Sequence, residues 1–227
     1  MTAATRRLLG RLRLRSQLVS PGQQDLQKPA DVVRWMTAMQ AQDFPGAKWS
    51  IGVRLPGATD RSIEAALADR SIVRSWPLRG TLHFVAADDL HWMLELTRER
   101  MIKRSATIFS KEGLTAAVLD RAGQAAGAAL TGGGILTRDE LYRLLEEAGV
   151  SAQGQSRYHA LWYLCQTGLL CMGPPSGKAQ TFVLLDEWVP RPRRLEHDEA
   201  LQELALRYFQ SHGPASERDF SWWSSLT

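Results

Sequence analysis

Two glutamines, Gln40 and Gln42, flank Ala41 and lie just before Pro45. A glutamine amide is no base at neutral pH, but its carbonyl oxygen can orient a water or stabilise a developing positive charge. Such groups suit cleavage through a cationic transition state with a good leaving group. An N-glycosidic bond breaks through an oxocarbenium-like state, and a leaving group that is already cationic departs from it without a strong general acid. Positioning and preorganised dipoles would then replace the roughly 10²- to 10⁴-fold that a true acid or base supplies. Such chemistry would be hydrolytic and would need no covalent intermediate. Lys48 is the lysine near enough in sequence to raise a Schiff-base alternative. The plainer reading of the two glutamines is that they cap a helix, and that of Asp43 is a cap for the helix that follows.

Residues two apart on a helix point about 200° away from each other, so both amides reach one site only where the helix gives way to extended backbone. Apolar residues Val32, Val33, Trp35, Met36 and Met39 recur with helical period and predict a helix over 29–40 that ends before Pro45. Short helices over 45–55 and 60–69 follow, then two β-rich runs, 72–76 and 81–85, around a turn at Pro77-Leu78-Arg79-Gly80. Three helices and a hairpin is the winged-helix order, whose third helix is offered to the major groove.

The order recurs. Helices are predicted over 116–130, over 137–147 with Thr137-Arg138-Asp139-Glu140 as a capping box, and over 155–167, and a hairpin of 169–172 and 181–185 follows. The resulting fold class is mainly α with small β-hairpin wings in tandem winged-helix units. A basic arm occupies 1–28, the first unit 29–87, a connecting helix 88–113 and the second unit 114–190. A third unit starts within 191–227 and stops at Thr227 without its recognition helix or wing. Thr131-Gly132-Gly133-Gly134 lacks the lysine and preceding strand of a phosphate loop and reads as a flexible linker.

The 227 residues are 44% hydrophobic, ample for a core. No apolar run approaches the roughly 20 residues that span a bilayer, and no signal peptide is evident, so a cytoplasmic protein is expected, nucleoid-associated if bacterial. Cys165 and Cys171 sit in apolar sequence and read as reduced core thiols, while the five histidines lack zinc spacing. Neither metal nor cofactor is expected. The net charge is +4, and Arg6, Arg7, Arg11, Arg13 and Arg15 all precede the first acidic residue, Asp25. Such an arm suits a polyanion. The first reading is an amphipathic helix with Leu8, Leu9, Leu12 and Leu18 inward, whose outer face can contact DNA; a transit peptide is the alternative.

Four stretches in one order, Met39-Gln40-Ala41-Gln42-Asp43, Arg79-Gly80-Thr81-Leu82-His83, the run from Gln180 to Pro190, and Ser211-His212-Gly213-Pro214-Ala215, resemble the AlkZ-type winged-helix DNA glycosylases. The resemblance covers nearly the whole chain. It implies tandem winged helices around a DNA channel and excision of bulky N7-alkylguanine, with unhooking of interstrand crosslinks in known members. It also implies that Gln40 and Gln42 form the family's catalytic Gln-x-Gln signature, although Ala41 is smaller than the apolar residue often found between the glutamines. The expected partner is double-stranded DNA, bound by a monomer with no membrane attachment. Candidate DNA contacts are Arg74, Arg79 and His83 on the first hairpin, Arg157 and His159 early in a predicted third helix, and Lys178 and Gln180 on the second wing. His83 also reads as a packing residue. A non-catalytic winged-helix regulator and an inactive fragment remain the competing readings.

Overall fold

The computed structural model describes residues 2–20 and 25–226. A first helix, α1 (Ala3–Ser16), precedes α2 (Pro29–Met36), β1 (Met39–Gln40), α3 (Phe44–Gly52), α4 (Asp60–Ala68) and the hairpin β2 (Ile72–Leu78) and β3 (Thr81–Ala86). A single 3-10 turn, Ala87–Asp89, leads into the long α5 (Leu90–Lys111). Then come α6 (Ala116–Leu130), β4 (Leu136–Thr137), α7 (Arg138–Glu147), α8 (Ser156–Gln166), the hairpin β5 (Leu170–Met172) and β6 (Thr181–Leu184), and the short α9 (Leu185–Trp188). Two further helices, α10 (His197–His212) and α11 (Glu217–Ser224), complete the chain. The sequence of helix, short strand, two helices and hairpin therefore occurs twice.

The periodicity located the helices well, and caps explain their starts. Pro29 opens α2, and Thr59, Thr137 and Ser216 each accept a backbone N–H at the head of α4, α7 and α11. The expected helix to Gln40 is shorter than its pattern. It stops at Met36, where Thr37 takes φ 69° and ψ −57°, a costly conformation for a β-branched residue. Residues 39–40 instead pair with β3, Met39 opposite Phe84 and Gln40 opposite His83. Hydrogen bonding to a distant strand outweighs the local helical pattern.

Both hairpins belong to one antiparallel sheet in the order β1-β3-β2-β5-β6-β4. The seam is the pair Arg74–Met172 between β2 and β5. One buried cluster, with Val32, Val33, Ile51, Ile63 and Phe84, lies under α2 to α4, and another, with Leu141, Leu145, Leu161 and Phe182, lies among α6 to α8. A third, with Val85, Trp92, Met93, Leu185 and Leu204, joins α5 and α10 to both hairpins. The glycine run expected to be a flexible linker is instead a fastened turn, because the N–H groups of Gly132 and Gly133 donate to the Glu187 carboxylate at 3.0 and 2.7 Å. Cys165 and Cys171 are free and fully buried. No described helix is long and apolar enough to cross a membrane.

Buried Asp89 ties α10 to the rest. Its carboxylate accepts from Arg207 at 2.6 Å, Arg193 at 2.8 Å and Trp92 Nε1 at 2.9 Å, with Arg34 of α2 at 3.4 Å. Burial opposes its charge, but Arg207 and its neighbours outweigh that and hold the carboxyl below the usual aspartate range.

Candidate functional site

Gln40 and Gln42 are both exposed, while Met39 and Ala41 between and before them are buried. This alternation is that of extended backbone, where residues two apart share a face. Termination of α2 at Met36 thus leaves both side chains exposed. The segment is clasped from β3: Ala41 N–H donates to the Leu82 carbonyl at 2.7 Å, and Leu82 N–H donates to Gln42 Oε1 at 2.9 Å. Gln42 keeps one oxygen lone pair and its amide N–H groups for another partner. The Gln40 side chain has no hydrogen-bond partner among the described residues.

Arg74 supports the segment from beneath. Its Nε and Nη2 donate to the Ala41 carbonyl at 3.0 and 2.5 Å, and Nη2 lies 3.4 Å from that of Gln42. The guanidinium also lies over the Phe44 ring, 5.1 Å from its centroid. Burial lowers its pKa to about 10, still well above neutrality, so it remains a cation. Its expected role as a groove contact does not fit this position: Arg74 is 6% exposed and committed to backbone. His83, opposite Gln40, is corrected likewise. It is 1% exposed and bonded through Nδ1 to the Thr81 carbonyl at 2.8 Å. Burial, aided by the Arg79 charge and opposed by the Thr81 hydrogen bond, pushes its pKa down to about 4, so it is a neutral packing residue near neutral pH.

Beside Gln40 lies an open cleft of about 840 Å³ lined also by Arg79, Thr81, Arg100, Arg104, Arg218, Ser221, Trp222 and Ser225. Arg79 arrives from the hairpin tip. Leu78 pairs with Thr81 and leaves a two-residue turn with φ 55° at Arg79 and 68° at Gly80, the sign pair of the tight turns that match strand twist. A Cβ at Gly80 would meet Met101 Cε at 3.1 Å, so glycine also permits the tip to lie against α5. Four arginines and no acidic residue among the described lining residues make the cleft suited to polyanions.

The remaining candidates lie elsewhere. Arg157 pairs with Glu146 at 2.6 Å and stacks near Tyr142, and His159 Nδ1 lies 2.7 Å from Glu112. Both are thus engaged within the protein. Lys178 and Gln180 border a separate cleft of about 350 Å³ with Phe44, Lys48 and Arg74. Lys48 is held by Asp60 at 2.5 Å and Glu64 at 2.7 Å. Burial works against its charge, yet the two carboxylates raise its pKa, so it is no amine nucleophile. Asp43 precedes α3 without a side-chain cap and folds over Gly46, where a Cβ would clash with its carboxylate. Sequence reasoning missed Arg100, Arg104, Arg218 and Trp222. Only the i, i+4 spacing of Arg100 and Arg104 on one helix face signalled a shared surface, and nothing local tied it to Gln40.

Fold and site together define a mainly helical protein with one six-stranded antiparallel sheet, two exposed glutamines on an edge segment, and an arginine-lined cleft that one of them borders. The sequence model of the DNA glycosylase AlkZ-like family matches residues 33–227, and the chain belongs to that family. It is 29% identical over 226 residues to the interstrand DNA cross-link repair glycosylase of Streptomyces sahachiroi, covering 94% of this chain and 59% of that protein. The solved structure of the Streptomyces sahachiroi DNA glycosylase AlkZ superposes with a TM-score of 0.79 at 26% identity, over 100% of this chain and 63% of that one. The chain thus spans about three-fifths of the relatives it matches.

Proposed function

We propose that this protein is a monofunctional DNA glycosylase that hydrolyses the N-glycosidic bond of N7-alkylated purines in duplex DNA. What supports this reading is the exposure of Gln40 and Gln42 on one short segment, with Gln40 in the wall of the arginine-lined cleft, together with membership of the family. As the bond from C1′ to the purine breaks, its electron pair leaves with the base and neutralises the alkylated ring, and positive charge develops on the sugar. Water then adds to C1′ and loses its proton to solvent. Gln40, with its amide uncommitted, orients that water and stabilises the cation through Oε1. Gln42, fixed by Leu82, supplies a preoriented dipole that need not reorganise during reaction. Arg79 and its cleft neighbours hold phosphates.

The repeated element order supports reading residues 29–87 and 114–190 as winged-helix units joined by α5, with 191–227 beginning a third. The relative's name, interstrand cross-link repair glycosylase, extends the proposal to crosslinked adducts. An open cleft accommodates these better than a closed base pocket does.

The test is release of N7-methylguanine from an alkylated duplex by this chain and by Gln40→Ala and Gln42→Ala. Each substitution should slow release by roughly 10²-fold, the usual effect of removing one preorganised dipole. Sequence-specific DNA binding with no release from the folded protein would overturn the proposal in favour of a regulator.

A further inference from the structure

The five arginines of α1 have no part in the site described so far. The helix contains no acidic residue and none of its residues is buried, so the expected inward packing of Leu8 and Leu12 does not occur; they are 58% and 40% exposed. Leu18 lies beyond the helix end at φ 60°. The helix is nevertheless fixed at its C-terminal end. Arg13 Nε donates to the Pro214 carbonyl at 2.8 Å, Ser16 Oγ to that of Gly213 at 2.5 Å, Trp35 Nε1 to that of Ser16 at 2.7 Å, and Arg54 Nε to that of Gln17 at 2.9 Å. The first two bonds seat α1 against the segment that leads into α11, the last two tie its end to α2 and to the stretch after α3, and α11 carries Arg218 and Trp222 into the wall of the Gln40 cleft. The charge of Arg13 reaches Asp219 on α11, where it helps lower the carboxyl pKa behind the larger effect of the Ser216 hydrogen bonds.

With Arg13 directed at the Pro214 carbonyl, Arg7, Arg11 and Arg15 fall at i, i+4 and i+8 on the opposite side. They form an exposed stripe with steps of about 6 Å along the axis. None of the three makes an ion pair among the described residues. Three guanidinium groups without ion pairs among the described residues, on a helix anchored to the segment that leads into α11, match a regular line of negative charge. We propose that α1 binds the sugar–phosphate backbone of the DNA duplex engaged at the Gln40 cleft, with Arg7, Arg11 and Arg15 each contacting phosphate. This inference rests on the DNA reading of the cleft. The helix adds affinity without sequence information, because phosphate contacts position a protein but do not read bases.

The experiment is fluorescence anisotropy of a labelled undamaged duplex between 50 and 200 mM salt, with the parent chain and an Arg7→Gln, Arg11→Gln, Arg15→Gln variant whose fold is checked by circular dichroism. Each phosphate contact contributes about 0.9 to the slope of log affinity against log salt. The triple variant should therefore flatten the slope by about 2.7 and bind more weakly at low salt. An unchanged slope in the folded triple variant overturns the proposal even if the parent releases alkylated base. A flattened slope without base release sustains it while defeating the glycosylase reading. If α1 instead holds anionic vesicles through its arginines and exposed leucines, vesicle flotation lost in the variant with an unaltered DNA slope overturns it in favour of a membrane surface.

Discussion

The Arg74 guanidinium donates from Nε to the carbonyl oxygen of Ala41 at 3.0 Å, so a buried cation on the second strand holds the residue between the two candidate catalytic glutamines. The first strand is only two residues long, and its continuation through Gln42 depends on this contact and on Leu82.

Arg74→Met should therefore act at a distance on the chemistry. Removal of the donor leaves the Ala41 carbonyl buried without its side-chain partner, a loss of about 1–3 kcal/mol. Single-turnover base release should slow while DNA affinity stays near that of the parent, because the side chain is not at the surface. A variant with weakened affinity and an unchanged rate would show that Arg74 contacts DNA instead.

His83 sets a pH dependence of stability. Its folded pKa, about 4, is depressed from the ordinary 6.5, so the neutral form is favoured in the native state. The associated stability is fully present above pH 6.5 and is lost as pH falls from there through about 4, by at most about 1.4 kcal/mol for each pH unit. Urea unfolding at a series of pH values should show this slope in the parent and a shallower one in His83→Gln. His212, also lowered to about 4, keeps part of the slope in that variant.

Asp89→Asn should be among the most destabilising single changes, since it leaves Arg207, Arg193 and Arg34 around a neutral amide. Breaking a buried charge network in this way costs about 3–5 kcal/mol. The folded carboxyl pKa is depressed, so the Asp89 contribution is present above the ordinary aspartate value and fades as pH falls through the folded one. The gap in unfolding free energy between parent and variant should be constant from pH 5 to 8 and close in strong acid. A gap that persists unchanged in acid would contradict an electrostatic origin.

Gly80→Ala should destabilise by about 1 kcal/mol or more, because alanine is strained at φ 68° and its methyl group meets Met101. The hairpin tip moves, and Arg79 with it. Thermal unfolding reads the first effect, and weaker binding of duplex DNA at low salt reads the second. Stability equal to that of the parent would mean that the turn adapts without cost.

Much of the helical framework was legible because its signals are local. The predicted 116–130 helix coincides with α6, and the Thr137 to Glu140 capping box opens α7 where the sequence placed it. The two-residue strands β1 and β4 were not legible. Each exists only by pairing with a hairpin strand more than 40 residues away, β3 or β6. The same limit misplaced Arg74 and His83: alternation along a strand marks two faces, but here the sheet is covered on both, and every residue of β2 is buried.

The sequence by itself determined most of the helices, the first hairpin and the repeated element order, because capping, periodicity and turn conformation act over a few neighbouring residues; the expected four-residue turn from Pro77 to Gly80 is only two residues long, since β2 runs on to Leu78. The tertiary structure alone decided that the two hairpins share one sheet, that Arg74 lies beneath Ala41, and that Arg100, Arg104 and Arg218 meet Gln40 around one cleft. These relationships join residues 33 to 178 positions apart. Nothing in a local propensity carries information over that distance; it is fixed only when buried surfaces and strand edges find their partners.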